Sequence, residues 1–235
     1  VTRDNFVTWE MKALYRAARE RGFALVRIDP ARWSFDLNEL RFEEFSGSFS
    51  RRAPEIAAAL GRVDEDAVAE GARALEVLAH AGIPVINGPT ATRTGRDKAL
   101  SALALLRHGV PQPRTRIMGA GPLEAFRRLE YPVVVKPLVG GQGRRVAKAG
   151  GPGELVRLLG EGAPVLVQEH VANVERELRI VVLDGEIVAS VCKVPAPGEW
   201  RANLSLGASA MPAKPGREAA QAALGAAVAV GADFA

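Results

Sequence analysis

Residues 132–149, PVVVKPLVGGQGRRVAKA, join a β-branched apolar run to a basic alternating run through three glycines in four positions. Three successive valines predict a buried strand, 132-PVVVKP-137, and the alternation in 146-VAKA-149 predicts a strand returning antiparallel to it. This order excludes a Walker loop, which needs G-x-x-x-x-G-K-[ST], and a Rossmann fingerprint, which needs a helix directly after the glycines. Two readings of the cluster stay open. It is a hairpin loop that requires positive φ, or a loop whose backbone comes close to a phosphate.

The rest of the chain alternates helix-period and strand-like segments. Helix 8-TWEMKALYRAARERG-22 leads to strand 23-FALVRID-29, and helix 64-DEDAVAEGARALEVLAHAG-82, with an acidic first turn, leads to strand 83-IPVIN-87. Residues 30–61 are mixed, with a β-ribbon expected around Leu40 to Phe49. The polar segment 88-GPTATRTGRDK-98 reads as a linker between lobes, and the next helix, residues 97–109, takes Asp97 as its cap and Gly109 as its stop. Strand 114-RTRIM-118 and helix 122-PLEAFRRL-129 precede the valine strand, and helix 153-GELVRLLG-160 follows the glycines. Beyond strand 165-VLVQEHV-171, Asp184-Gly185 joins strands 178–183 and 186–194 as a two-residue hairpin. A loop over 195–212 and an alanine-rich helix over 216–231 complete an α/β pattern.

At 235 residues, 48% hydrophobic and 25% charged, the chain has enough material for two or three lobes. Cys192 is the one cysteine, so no internal disulfide forms, and a reducing, cytoplasmic setting is expected. His80, His108 and His170 lack zinc-site spacing. The net charge of +4 comes from dispersed cations, and with three Trp and two Tyr there is no aromatic-basic cluster for nucleic acid. No membrane span or secretory signal is expected. The chain starts at Val1 and stops within the strand-like 231-GADFA-235, which reads as a fragment truncated at both ends.

Several polar residues stand where strands end. Lys136 closes the valine strand and Lys98 opens a helix, so together they suit a phosphate clamp near a mobile loop; singly, each reads as a surface lysine. Gln168 and Glu169 end another strand, where exposed backbone can read an adenine edge. Glu177 offers two acceptors for ribose hydroxyls, and Arg179 a donor fork for phosphate or carboxylate; singly, each of these reads as an exposed group at a strand end. Arg201 and Asn203 share one face of an extended segment, with Trp200 on the other as a packing residue. Cys192 reads as a small core residue.

In order and spacing, Arg96-Asp97-Lys98, Val134-Val135-Lys136, Gly140 to Gly143, Gln168-Glu169, Glu177-Leu178-Arg179 and Trp200-Arg201-Ala202-Asn203 resemble the ATP-grasp superfamily. The branch they resemble comprises the RimK-type α-L-glutamate ligases and LysX-like ligases. The resemblance implies an ATP-grasp fold of α+β lobes: an N-terminal Rossmann-like domain over 1–88, a central lobe with a glycine-rich lid over 89–163, and a C-terminal lobe over 164–235. It implies that Lys98 and Lys136 contact ATP phosphates and that Gly140, Gly141, Gln142 and Gly143 cover them. Gln168, Glu169, His170 and Val171 would meet adenine, Glu177 the ribose, and Arg201 the transferring phosphoryl group. Arg179 and Asn203 would serve the phosphate and acceptor-carboxylate region, and Asp233 a magnesium or manganese ion.

The implied reaction is ATP-dependent amide formation through an acyl phosphate. It would add glutamate or a similar amino acid to a carboxylate-bearing protein or small molecule, with homo-oligomers common among such ligases; the alternative is a catalytically silent ATP-binding module. Three departures stand out. Arg145 replaces a glycine frequent in RimK-type relatives, 206-LGA-208 replaces R-G-G after Asn203, and the E-x-N metal pair expected beyond Asp233 is not in this sequence.

Overall fold

The computed structural model describes residues 9–45, 49–159, 162–172 and 175–235, and the chain divides into two compact units, Val1–Arg93 and Thr94–Ala235. In the first unit, helix α1 (Trp9–Glu20) ends where Gly22 turns to φ +78°. The strand expected over 23–29 is not formed: the segment joins no ladder, and periodicity alone cannot supply a pairing partner.

Residues 30–61 contain more order than their mixed pattern suggested. Strands β1 (Trp33–Asp36), β2 (Arg41–Glu44) and β3 (Phe49–Arg52) form an antiparallel sheet in that order. The expected ribbon is the β2–β3 pair, and residues 46–48 at its tip lie outside the described residues. Phe42 stacks on Trp33 at 5.3 Å and, with Ala53, Leu78 and Ile83, forms a buried cluster. Strand β4 (Ala59–Leu60), helix α2 (Val68–His80) and strand β5 (Val85–Ile86) make one parallel βαβ unit. Its helix buries Leu75 against Val63 and Ala67.

The segment read as a linker is mostly helical: α3 spans Pro89–Arg96. Proline at the first helical position suits helix initiation, the Thr92 amide donates to the Gly88 carbonyl, and Thr92 is buried, so a polar composition did not prevent folding. Helix α4 (Lys98–Arg107) begins as expected, with the Asp97 carboxylate accepting from the Ala99 and Leu100 amides at 2.8 and 3.1 Å.

The second unit is built on an antiparallel four-stranded sheet ordered β6–β9–β7–β8, from β6 (Thr115–Met118), β7 (Val133–Pro137), β8 (Ala147–Ala149) and β9 (Val165–Glu169). Thus β9 pairs in the middle of the sheet that carries the glycine loop. Helices α5 (Leu123–Phe126) and α6 (Pro152–Leu159) cover one face through Phe126, Leu155 and Leu159, which pack on Val133, Val135 and Val167. The helix expected over 122–129 is shortened to a single turn, with Pro122 as its cap.

A second sheet holds β10 (Glu177–Leu183), β11 (Glu186–Val194) and β12 (Ser209–Pro212). Asp184 and Gly185 take φ +49° and +75° at its hairpin, the left-handed pair that a two-residue turn requires. Strand β12 and a short 3₁₀ turn over Leu204–Leu206 replace part of the loop expected over 195–212. Helix α7 (Arg217–Val230) ends at Gly231 in the left-handed region, and residues 233–235 return along β10 through mutual Val182–Ala235 hydrogen bonds. Among the described residues no helix is long and apolar enough to cross a membrane.

Candidate active site

The glycine cluster is both a hairpin loop and the wall of a cleft. It connects β7 to β8, and four of its residues have positive φ: Gly140 at +141°, Gln142 at +57°, Gly143 at +72° and Arg145 at +53°. Gly143 also lies so close to Asn203 that an added Cβ would stand 2.9 Å from its Oδ1. The positive φ favours glycine there, and an added Cβ would displace the Asn203 side chain.

The cleft has a volume of about 310 Å³. Its walls bring together Lys98, Lys136, the loop residues Gly140, Gly141, Gln142 and Gly143, and, from the second sheet and its following segment, Glu177, Arg201 and Asn203. Arg144 and Trp200 also line it. The remaining candidates lie elsewhere. Gln168 faces Lys136 from β9, Glu169 sits beside Arg114 and Arg116 in a small separate pocket, and Arg179 is exposed on β10. His170 packs edge-on against Trp200 at 5.8 Å, while Val171 and Asp233 are exposed.

Carbonyl oxygens of the loop accept from the surrounding donors. Lys98 Nζ donates to the Gly140 carbonyl at 2.8 Å, Ser205 Oγ to that of Gln142 at 3.3 Å, and Arg201 Nη1 to those of Gly143 and Val146 at 3.3 and 3.4 Å. Two loop amides are taken by turns inside the loop, Arg144 to Gly141 and Val146 to Gly143. Lys98 and Arg201, two of the cations that suit a phosphate, therefore hold the loop itself.

Lys136 is oriented by a relay. Its Nζ donates to Gln168 Oε1 at 2.7 Å, and Gln168 Nε2 donates to Thr115 Oγ1 at 2.8 Å. Burial pushes the Lys136 ammonium below its ordinary 10.5, the nearby Lys98 charge adds to that, and Glu177 opposes it. Glu177 in turn pairs with Lys193, a lysine buried on β11.

Arg201 is held side-on by Glu199, with Nε to Oε1 at 2.9 Å and Nη2 to Oε2 at 2.8 Å. This guanidinium holds the Glu199 carboxyl down at about 2, and the carboxylate raises Arg201 further above its ordinary value. Trp200, expected to pack away from the site, lies with its ring 5.7 Å from Arg201 Cζ and 5.8 Å from Lys148 Nζ. Sequence reasoning missed Glu199, Lys193 and Thr115. An acidic residue two positions before Arg201 on an extended segment was a readable signal for Glu199; the other two depend on strand register.

The donor set fits a polyphosphate, with two lysines and one arginine facing a glycine loop. Among the described residues no three His, Cys, Asp or Glu side chains group to hold an ion, and magnesium needs several oxygen ligands where Asp233 supplies one carboxylate.

A profile of the RimK-like ATP-grasp domain matches residues 95–235. The chain is 30% identical to a tetrahydromethanopterin:alpha-L-glutamate ligase of Methanosarcina acetivorans, over 97% of this chain and 77% of that one. It is 34% identical to the alpha-aminoadipate–LysW ligase LysX of Saccharolobus solfataricus, over 61% and 55% of the two chains. With a glutathione synthetase of Parasynechococcus marenigrum it shares 38% identity over 58% and 46%. The chain thus spans about half the length of the latter two relatives. Among solved structures, the ATP-grasp ligase PsnB complexed with minimal precursor superposes with a TM-score of 0.69 at 20% identity, over 99% of this chain and 82% of that one. A RimK domain ATP-grasp protein from Sphaerobacter thermophilus gives 0.67 at 23% identity, over 98% and 81%. The ordered motifs, the loop-bearing sheet and these likenesses converge: the chain belongs to the RimK-like ATP-grasp family, whose named relatives are ligases.

Proposed function

We propose that this chain joins a carboxylate to an amine at the expense of ATP, adding glutamate or a similar amino acid to a carboxylate-bearing protein or small molecule. One observation carries the reading: Lys98, Lys136 and Arg201 line one cleft together with the glycine loop, Glu177 and Asn203. Relatives named as glutamate ligases and LysW ligases support the class of amino acid and acceptor.

A carboxylate is a poor electrophile, which explains the need for ATP. The acceptor carboxylate oxygen attacks the γ-phosphorus, the bond to the ADP oxygen breaks, and an acyl phosphate results. The amine nitrogen then attacks the acyl carbon, phosphate departs and the nitrogen loses a proton. Catalysis of this kind is mostly positioning and charge neutralisation.

In this reading Lys98 and Lys136 bind phosphate oxygens, Gly140 to Gly143 cover them, and Arg201 meets the transferring phosphoryl group. Asn203 and Arg179 serve the acceptor carboxylate and phosphate region. Gln168, Glu169, His170 and Val171 face the base, and Glu177 the ribose. The lobes are the N-terminal unit, the loop-bearing lobe and the C-terminal lobe, in a reducing compartment where the buried Cys192 stays a thiol.

The test is ADP release with ATP, glutamate or aminoadipate, and a panel of pterin and protein acceptors. Acceptor-dependent ADP is expected, and Lys98→Ala and Lys136→Ala should each weaken ATP binding by roughly tenfold or more. Unchanged ATP affinity in both variants would contradict the phosphate assignment. Measurable ATP binding with no ADP from any acceptor would instead identify a silent binding module.

A further inference from the structure

Glu199 belongs to no assigned motif, yet it is the most completely engaged carboxylate around the cleft. Its Oε1 accepts from the Trp200 amide at 2.9 Å, the Arg201 amide at 3.0 Å and Arg201 Nε at 2.9 Å, while Oε2 accepts from Arg201 Nη2 at 2.8 Å. Two backbone amides thus fix the carboxylate, and the fixed carboxylate orients the guanidinium. A planar fork gripped along its Nε–Nη2 edge has one direction left for Nη1. That direction leads to the loop, where Nη1 meets the Gly143 and Val146 carbonyls.

We propose that Glu199 is a positioning residue that aims Arg201 at the glycine loop, so that one guanidinium both fastens the loop and meets the phosphoryl group. The proposal rests on the ligase reading for its second half only. A phosphate oxygen is a stronger acceptor for a guanidinium than a peptide carbonyl, so phosphate contact at Nη1 releases the Gly143 and Val146 carbonyls. Loop movement and phosphoryl recognition are then coupled through one side chain, and Glu199 sets the geometry of both. Arg144 and Arg145, exposed within the same loop, give that coupling a direct readout.

The experiment is a double-mutant cycle with Glu199→Ala, Arg201→Ala and the double variant on the 235-residue chain, with Glu199→Gln as a milder second variant. Limited trypsin digestion without nucleotide, read by mass spectrometry at Arg144 and Arg145, reports the loop. ATP and ADP affinities report the phosphoryl contact. Cleavage should quicken severalfold in Glu199→Ala and less in Glu199→Gln. ATP binding should weaken by roughly tenfold while ADP changes by less than about twofold, and Glu199→Ala should add nothing in the Arg201→Ala background. Unchanged cleavage at both arginines would overturn the loop-fastening half. Equal losses for ATP and ADP, or additive effects in the double variant, would overturn positioning through Arg201. If the unaltered chain binds no ATP, the ligase reading fails separately and the digestion still decides the loop contact.

Discussion

At the scale of single residues, the site is organised by cations that answer to one another. Lys136 is half-buried and close to Lys98, and both effects disfavour its charge. The sign follows from linkage. With a folded pKa below the ordinary 10.5, the folded state binds the proton less well than the unfolded state. The resulting cost is fully present at low pH and is relieved as pH rises from the lowered folded value towards 10.5. Lys98→Ala removes one of the two depressing causes, so the Lys136 titration followed by NMR should move upward in that variant. A downward or absent movement would show that the two ammonium groups do not interact. These pairings were only partly legible in the sequence. Lys98, Lys136, Glu177, Arg201 and Asn203 could be singled out by type and order, whereas Gln168 as a partner of Lys136 required the register that sets β9 beside β7.

Elements place those residues, and their ends matter most. Lys98 is the first residue of α4, and Asp97 caps that helix with two backbone hydrogen bonds. Asp97→Ala should cost about 1 kcal/mol in chemical denaturation, the usual loss for an N-cap, whereas Asp97→Asn should retain most of it. Nucleotide affinity should fall along with stability in the alanine variant, because Lys98 loses its fixed origin. Caps, the Asp184-Gly185 turn and the β7–β8 hairpin were readable because their determinants are local. Strand β12 was not, since that segment takes regular structure through its pairing with β11, and helix α3 was not, because its polar composition masks the Pro89 start.

For the whole molecule, the cleft is assembled entirely from residues beyond Thr94, while Val1–Arg93 has its own packed interior. Gly71 illustrates how tight that interior is, since an added Cβ would lie 2.6 Å from both methyl carbons of the buried Val63. Gly71→Ala should therefore destabilise by about 1–3 kcal/mol through overpacking. ATP affinity, measured well below the melting temperature, should stay within about twofold, because no residue lining the cleft belongs to the first unit. A large affinity loss would tie the first unit to the cleft.

The sequence alone determined the α/β alternation, the hairpins, the helix caps and the ordered set of motifs by which the family is legible, because each depends on neighbouring residues and their periodicity. Only the tertiary structure decided that residues 23–29 join no sheet, that β9 lies inside the loop-bearing sheet, and that Glu199 aims Arg201 at the loop. These depend on which strands meet and in what register. Around 136-KPLVGGQGRRVAK-148, local chemistry established a glycine loop, and packing decided that its carbonyls face the cations of the cleft.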